Sequence, residues 1–297
     1  MITKRFYLTM SLCLAVAIPA EFILCRLLHI DGCLNRFTAG WYGMLLFAVI
    51  AAYGQWSSLP RLAAPFKITV LSILLWNALG LMPLFAARAA FPLADKPLAA
   101  IDASFGLTTG RFVHLVRQVH TLDMVSGTVY DATLWLVAAA VLLPTIFKRE
   151  AAAQRFVVSI AACAVVTTIL FCFLPAIGPW TVQGYAPSVP QAGVTETFQQ
   201  LRAGLPVSLD TASVGIVSFP SFHCVLAILS AHALSSFRWL RWPVWILATL
   251  ICASTITTGW HYGIDVVGGV MLAFAVAQAA KRTDPAQTCS RVRSIYA

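Results

Sequence analysis

SFPSFH, at residues 218–223, and TTGWHYGID, at residues 257–265, are polar interruptions in the apolar C-terminal half of the chain. Each is followed by a long apolar run, as expected where a membrane-spanning helix begins at the water interface. His261 and Asp265 are four residues apart, so a helix would place them on one face. The two stretches therefore predict membrane helices that carry ionisable side chains near their ends.

The composition favours a protein that folds in a bilayer. The chain has 297 residues, of which 60% are hydrophobic and only 10% are charged. Soluble domains average about 25% charged residues, so this composition cannot cover a water-soluble globule. The net charge of +9 would suit a nucleic-acid partner, but the placement of the basic residues explains it better, and we expect no nucleic acid to bind.

The apolar runs predict an all-α, polytopic helix bundle of about eight transmembrane helices, because a span needs about 20 apolar residues. The first run is longer than the core of a signal peptide, so we expect it to be a retained span. We interpret residues 1–297 as a single membrane domain with a catalytic core at about 150–280. The candidate spans are 6–28, 40–58, 67–90, 129–147, 156–175, 220–238, 243–259 and 262–280.

Lysine and arginine are unevenly distributed among the connections between these runs. Cytoplasmic loops carry an excess of both residues, so the pattern places both termini in the cytoplasm. Both polar stretches then lie on the outer side. We expect an integral membrane protein of the bacterial inner membrane with its active site on the periplasmic side.

Two outer segments are too long to be simple loops. Residues 91–128 mix apolar and polar residues at helical spacing, which predicts an amphipathic segment on the membrane surface. Residues 176–217 contain several prolines and glycines, with a short helix expected near 193–203. Long connections of this kind are usually functional or disordered, and we interpret this one as a lid or substrate-side loop.

The polar stretches carry the residue types that phosphoryl transfer needs. A carboxylate at Asp265 can hold the Nδ1–H of His261 and leave Nε2 free to attack. Ser221 is a plausible cap for a helix that starts before His223, and a helix start attracts phosphate. The alternative is a polar pair that only joins helices, but ionisable residues in spans are costly and usually functional.

The same residues resemble a known family. Pro220-Ser221-Phe222-His223 resembles the Pro-Ser-Gly-His motif of the type 2 phosphatidic acid phosphatase superfamily, and His261-x-x-x-Asp265 resembles the end of its other motif. The resemblance is closest to the inositol phosphorylceramide synthase branch, where His-Tyr-x-x-Asp-Val is typical. It covers roughly residues 170–275 and implies a phosphohistidine mechanism without a metal or other cofactor.

This resemblance assigns roles to the site residues. His261 would be the nucleophile, Asp265 would hold its tautomer and stabilise the imidazolium, and His223 would be the general acid. Ser221 and the backbone N–H groups of Phe222 and His223 would hold phosphate oxygens.

The sequence departs from the family in the residues that clamp the phosphate. It has no Lys, six residues, Arg-Pro motif, and Thr255 stands where the family has an arginine, although Ser254 matches. A transferring phosphoryl group needs positive charge around it. Arg111 and Arg117, on the outer amphipathic segment, are the candidates that we favour, although arginines there also suit lipid headgroups.

The eight cysteines mostly lie within apolar runs and form no Cys-x-x-Cys pair. We therefore expect neither a metal site nor disulfides.

The expected function is hydrolysis or transfer of a lipid-linked phosphate, with a lipid phosphate substrate and the bilayer as partners. Two alternatives stay open. The first is headgroup transfer of the inositol phosphorylceramide synthase type, and the second is a non-enzymatic transporter, although the spans lack the paired broken helices of inverted repeats. The sequence predicts neither the oligomeric state nor the lipid.

Overall fold

A computed structural model describes residues 2–38, 41–210 and 215–282 of the chain. This part of the protein is almost entirely helical, with one parallel pair of two-residue strands, β1 (Ile30–Asp31) and β2 (Val207–Ser208). The helices are α1 (Ile2–Leu27), α2 (Cys33–Thr38), α3 (Trp41–Trp56), α4 (Pro60–Ala87), α5 (Asp95–Ser104), α6 (Thr109–Arg117), α7 (His120–Ile146), α8 (Glu150–Phe173), α9 (Val189–Arg202), α10 (Phe222–Leu234), α11 (Arg241–Thr257) and α12 (Gly263–Arg282).

Within the described residues, α1, α4, α7, α8 and α12 are long and apolar enough to cross a membrane. Three shorter apolar helices, α3, α10 and α11, account for the remaining predicted spans. The prediction of an all-α membrane helix bundle is therefore confirmed.

Helix α10 lies at the centre of the bundle and contacts α7, α8, α11 and α12. Nearly all of its residues from Cys224 to Leu234 are buried, as expected for a helix that is apolar all round. Gly269 allows α12 to approach the start of α10, because a Cβ there would collide with the carbonyl oxygen of Ser221. This close contact sets the two polar stretches side by side.

The outer segments are folded rather than open loops. The amphipathic segment forms α5 and α6, and α6 packs against α7 and α11. The helix expected near 193–203 is α9, and it begins earlier than expected, at Val189. Ser188 and Gln191 form a capping box and Pro190 lies in the first turn, which together start a helix well.

The expectation of free cysteines is wrong for one pair, because Cys25 at the end of α1 forms a disulfide with Cys33 at the start of α2. The bridge is close to the β1–β2 pair, which joins this corner to the loop that leads into Ser218. Arg88 reinforces the corner by donating to the carbonyl oxygens of Leu28, Leu201 and Leu205. The disulfide is therefore at the same end of the bundle as the polar stretches. The other described cysteines are free.

Candidate active site

His261 lies just before α12 and not on it, since that helix begins at Gly263. The expectation that one helix face carries both His261 and Asp265 is therefore wrong in detail. The chain turns there because the N–H groups of Trp260 and His261 both donate to the carbonyl oxygen of Thr255, each at 3.1 Å. Asp265, in the first turn of α12, accepts from the Tyr262 N–H at 2.9 Å. The turn still brings His261 Nδ1 to 3.4 Å from Asp265 Oδ2.

Ser218 joins the histidine and the carboxylate, a role that the sequence analysis missed. Its carbonyl oxygen lies 3.0 Å from His261 Nδ1, and its hydroxyl donates to Asp265 Oδ2 at 2.8 Å. Both neighbours of Nδ1 are acceptors, so Nδ1 carries the ring proton and Nε2 keeps its lone pair. The signal in the sequence was the position of Ser218 at the head of the first polar stretch.

The histidine and its partner carboxylate are shielded from solvent. His261 is 3% exposed and Asp265 is 0% exposed. Asp265 Oδ1 has no hydrogen-bond partner among the described residues. A buried carboxylate with an unused acceptor atom stabilises positive charge on a neighbouring imidazole strongly, because water does not screen it.

Two aspartates of α5 brace this turn, which gives the outer segment a structural role. Asp102 accepts from the backbone N–H groups of Gly263 and Ile264 at 2.6 and 2.8 Å, and so caps α12. Burial raises the pKa of Asp102. Asp95 accepts from the Tyr262 hydroxyl at 3.0 Å and from the N–H groups of Ile177 and Gly178. These carboxylates hold the residues that follow His261 and fasten them to the loop at Ile177 and Gly178.

The first polar stretch supplies the start of α10, as expected. Ser221 is the N-cap, and its hydroxyl accepts from the Cys224 N–H at 3.5 Å. Its own N–H donates to the carbonyl oxygen of Asp265 at 3.0 Å. Phe222 and His223 lie in the first turn of α10, where N–H groups have no intrahelical acceptor. The helix start that was expected to bind phosphate is therefore beside the His261–Asp265 pair.

His223 contacts Tyr130 of α7, a second residue that the sequence analysis missed. Tyr130 Oη lies 3.1 Å from His223 Nδ1, and the two rings stack with centroids 4.1 Å apart. Trp260 stacks on Tyr130 in turn, at 6.2 Å. The rings of His223 and His261 have centroids 6.1 Å apart, so a single phosphoryl group can reach both. Tyr130 lies inside an apolar run, where no pattern marks it.

The two candidate arginines are not part of this arrangement. Arg117 donates to the carbonyl oxygen of Ala186 at 2.8 Å and lies over the Tyr185 ring, while Arg111 is exposed on α6. Neither has a hydrogen bond or ring contact with His223 or His261 among the described residues. Thr255, at the position of the family's arginine, is 0% exposed. The structure therefore brings together the histidines, Asp265, Ser221 and Phe222, but leaves both arginines on the surface of α6.

An apolar cavity adjoins the histidine pair. It has a volume of about 220 Å³ between α4, α7, α8 and α10, and His223 is part of its wall. A second cavity of about 320 Å³ continues along α4, α7 and α8. The two cavities are adjacent, because they share the lining residues Trp76, Leu79, Leu134 and Ile160. We call the two together the apolar channel.

The sequence model of the PAP2 superfamily matches residues 96–279, which run from α5 to α12 and include both polar stretches. The chain belongs to the PAP2 superfamily. Members of this superfamily are phosphatases or phosphotransferases, which fits a site with two histidines and a carboxylate. No match to the chain is found among curated proteins or among solved structures.

Proposed function

We propose that the protein hydrolyses or transfers a lipid-linked phosphate through a phosphohistidine at His261. The observation that carries this proposal is the pair of acceptors around His261 Nδ1, the Ser218 carbonyl oxygen at 3.0 Å and Asp265 Oδ2 at 3.4 Å. They leave an unprotonated Nε2 on a buried ring, and a second histidine lies within reach of the same phosphate. This is the arrangement of an activated nucleophile with a neighbouring acid.

The proposed reaction has two steps. His261 Nε2 attacks phosphorus and the bond from phosphorus to the alcohol oxygen breaks, while His223 gives its Nε2 proton to that oxygen. In this role His223 is the imidazolium. Tyr130 supports it, since the Tyr130 hydroxyl oxygen, 3.1 Å from His223 Nδ1, can accept the Nδ1–H and leave the Nε2 proton for the alcohol oxygen. Water or a second alcohol then attacks the phosphohistidine, and His223 takes up the proton that the attacking oxygen loses.

The start of α10 and the α6 arginines complete the phosphate site in this proposal. Ser221 and the N–H groups of Phe222 and His223 bind phosphate oxygens at a positive helix end. Arg111 and Arg117 would move toward a bound phosphate to supply the positive charge that the family's missing clamp would provide. Arg117 would then give up its contacts with Ala186 and Tyr185. Arg111 is exposed, and its side chain can turn toward a bound phosphate at little cost.

The apolar channel supports a lipid as the substrate. Its wall on α4 extends from Thr69 to Leu84, which at 1.5 Å per residue is about 22 Å. A small soluble phosphate ester would leave such a channel empty. A hydrocarbon chain attached to the phosphate would fill it, and burial of its apolar surface would stabilise the complex. The phosphate then lies at the histidines and the chain extends into the bundle.

The Cys25–Cys33 disulfide supports an outward-facing site. Disulfides persist in oxidising compartments such as the bacterial periplasm and are rare in the cytosol. The bridge is at the histidine end of the bundle, and the lysine and arginine distribution assigns that end to the outside as well. We therefore propose that the site faces the periplasm across the bacterial inner membrane.

The acceptor separates the two enzymatic versions of the proposal. Hydrolysis uses water, and headgroup transfer of the inositol phosphorylceramide synthase type uses a lipid alcohol. The Tyr262 hydroxyl, which belongs to the motif of that branch, binds Asp95 in this structure, so it favours neither acceptor. A transporter would hold its ligand near the middle of the membrane, whereas these histidines lie at the end of their helices.

The test is incubation of the purified protein with long-chain lipid phosphates, with and without a lipid alcohol. Mass spectrometry would detect free phosphate or the transferred headgroup, and acid-labile phosphate on His261 would identify the intermediate. A parallel incubation with a chelator tests the expectation that no metal is needed. No phosphorylated His261 and no turnover of any lipid phosphate would refute the proposal.

A matched pair of variants tests the lipid channel. Ala164 is buried in the channel wall, and its neighbour Val165 is exposed on the outside of α8. We expect Ala164→Phe to lower kcat/KM for long-chain substrates and to spare short, water-soluble ones. Val165→Phe should change neither. Equal loss for long and short substrates in Ala164→Phe would contradict the assignment of the channel.

A further inference from the structure

A separate cavity opens at the end of the bundle away from the histidine pair. It has a volume of about 440 Å³ and lies between α8, α10, α11 and α12. His232, in its wall, is nine residues beyond His223 on α10, or about 13 Å along the helix axis. Lys281 is sixteen residues beyond Asp265 on α12, or about 24 Å. The proposed phosphate chemistry therefore does not use this cavity.

Basic groups from four different helix ends meet around this cavity. Arg155 of α8, Arg241 of α11 and Lys281 of α12 line it, together with His232 of α10. None of its described lining residues is acidic. Arg241 and Lys281 place two positive charges at this space, and an anion bound beside them is attracted to both.

The rest of the wall matches a phosphate group that is attached to an apolar body. Ser159 adds a hydroxyl group to the wall, and a hydroxyl can donate a hydrogen bond to a phosphate oxygen. The Ser235 hydroxyl donates to the Ala231 carbonyl oxygen at 2.6 Å instead. Arg241 is the first residue of α11 and lines the cavity, so the positive end of that helix also borders it. The N-cap residue of α11 makes no side-chain hydrogen bond to this helix end. Leu229 and Trp245 add apolar surface to the wall.

We propose that this cavity binds the phosphate group of an anionic ligand, at a site distinct from the histidine pair. Basic pockets between membrane helices bind anionic lipid headgroups. The apolar part of the wall would contact the first carbons of the lipid chains. With the orientation proposed above, the ligand belongs to the cytoplasmic leaflet. Because α10 and α12 carry His223 and Asp265, the ligand clamps the far ends of the two helices that hold the active site.

The experiment measures thermal unfolding of the full-length protein in a neutral detergent with three separate probes. The probes are dioleoylphosphatidylglycerol, zwitterionic dioleoylphosphatidylcholine and inorganic phosphate. A ligand at ten times its dissociation constant shifts the unfolding equilibrium about tenfold, which corresponds to a rise in melting temperature of about 3–6 °C. We expect this rise with the anionic lipid and not with the zwitterionic one.

Three variants show whether the rise comes from this cavity. Arg241→Gln combined with Lys281→Gln removes two charges and should abolish it. Ala280→Leu keeps every charge but fills the half-exposed cavity wall, and it should also abolish the rise. Arg238→Gln, which changes an exposed arginine at the same end outside the cavity, should keep the full rise.

The probes also separate the two sources of the phosphate group. A rise with inorganic phosphate alone that both cavity variants abolish supports the site with free phosphate as its ligand. A rise with the anionic lipid that both abolish supports a headgroup. The proposal is overturned if no probe raises the melting temperature, if the zwitterionic lipid acts as strongly as the anionic one, or if the cavity variants respond like Arg238→Gln. Since unfolding is measured without turnover, failure of this proposal leaves the phosphohistidine proposal standing.

Discussion

Asp265→Asn tests whether the buried carboxylate stabilises positive charge on His261 during catalysis. The substitution preserves shape, because an amide oxygen in place of Oδ2 still accepts from the Ser218 hydroxyl and the Tyr262 N–H. The loss is the negative charge 3.4 Å from His261 Nδ1. With an effective dielectric constant of about 20, Coulomb's law gives about 5 kcal/mol for a unit charge pair at that distance. Each 1.36 kcal/mol changes a rate tenfold, so we expect kcat to fall by about 10³–10⁴.

Asp102→Asn is the matched control, since Asp102 is another buried carboxylate at the start of α12 and it contacts no histidine. Both of its oxygens accept backbone N–H groups, from Gly263 and Ile264. An amide nitrogen in one of these places leaves one N–H unpaired, which costs about 1–3 kcal/mol of stability. We expect this variant to melt at a lower temperature and to keep kcat within a few-fold of the original.

The assay pairs thermal unfolding with initial rates of phosphate release from a lipid phosphate, both in the same detergent. The melting temperature shows whether each variant is folded at the assay temperature. The rates are then expressed per folded molecule. If folded Asp265→Asn keeps more than a tenth of kcat, the carboxylate does not stabilise the imidazolium. If Asp102→Asn loses as much activity as Asp265→Asn, the effect belongs to the shape of the turn and not to the charge beside His261.

Three further predictions concern the acid, its partner and the disulfide. His223→Ala should lower kcat for alkyl phosphates by about 10²–10⁴ and for aryl phosphates much less, because aryl leaving groups need no proton. An equal fall in kcat for the two substrates would contradict the assignment of His223 as the acid. Tyr130→Phe keeps the ring stack but removes the hydroxyl from His223 Nδ1, so the pH–rate profile should shift and kcat for alkyl substrates should fall about tenfold. An unchanged pH–rate profile would mean that Tyr130 acts only by packing against His223. A membrane-impermeant thiol reagent should label Cys25 and Cys33 in intact cells only after reduction, and labelling without a reductant would contradict the bridge and its use in assigning the outer side.

The composition and the apolar pattern of the chain predicted correctly that it folds as an all-α membrane helix bundle, and the polar stretches indicated candidate site residues. A soluble domain of this size cannot bury a chain in which 60% of the residues are hydrophobic. The apolar runs form helices because backbone N–H and C=O groups in lipid must form hydrogen bonds within their own segment. The ionisable residues near the ends of the predicted spans, His223, His261 and Asp265, were singled out by a related argument. Placing such a group in a membrane costs free energy, so its presence there usually indicates a function. The family match over residues 96–279 includes these three residues, and their catalytic roles stay predictions.

The packing of the helices against one another determines how these residues are held. Nothing in the local pattern says that Ser218 binds both His261 and Asp265, or that Tyr130 lies on His223, because these contacts join segments far apart in the chain. The contacts of Ser218 exist because Gly269 lets α12 approach α10 closely and because Asp102 of α5 caps the start of α12. The contact of Tyr130 comes from the packing of α7 against α10. A hydrophobic pattern specifies which residues leave water, and only the packing of one helix against another specifies which polar atoms then meet.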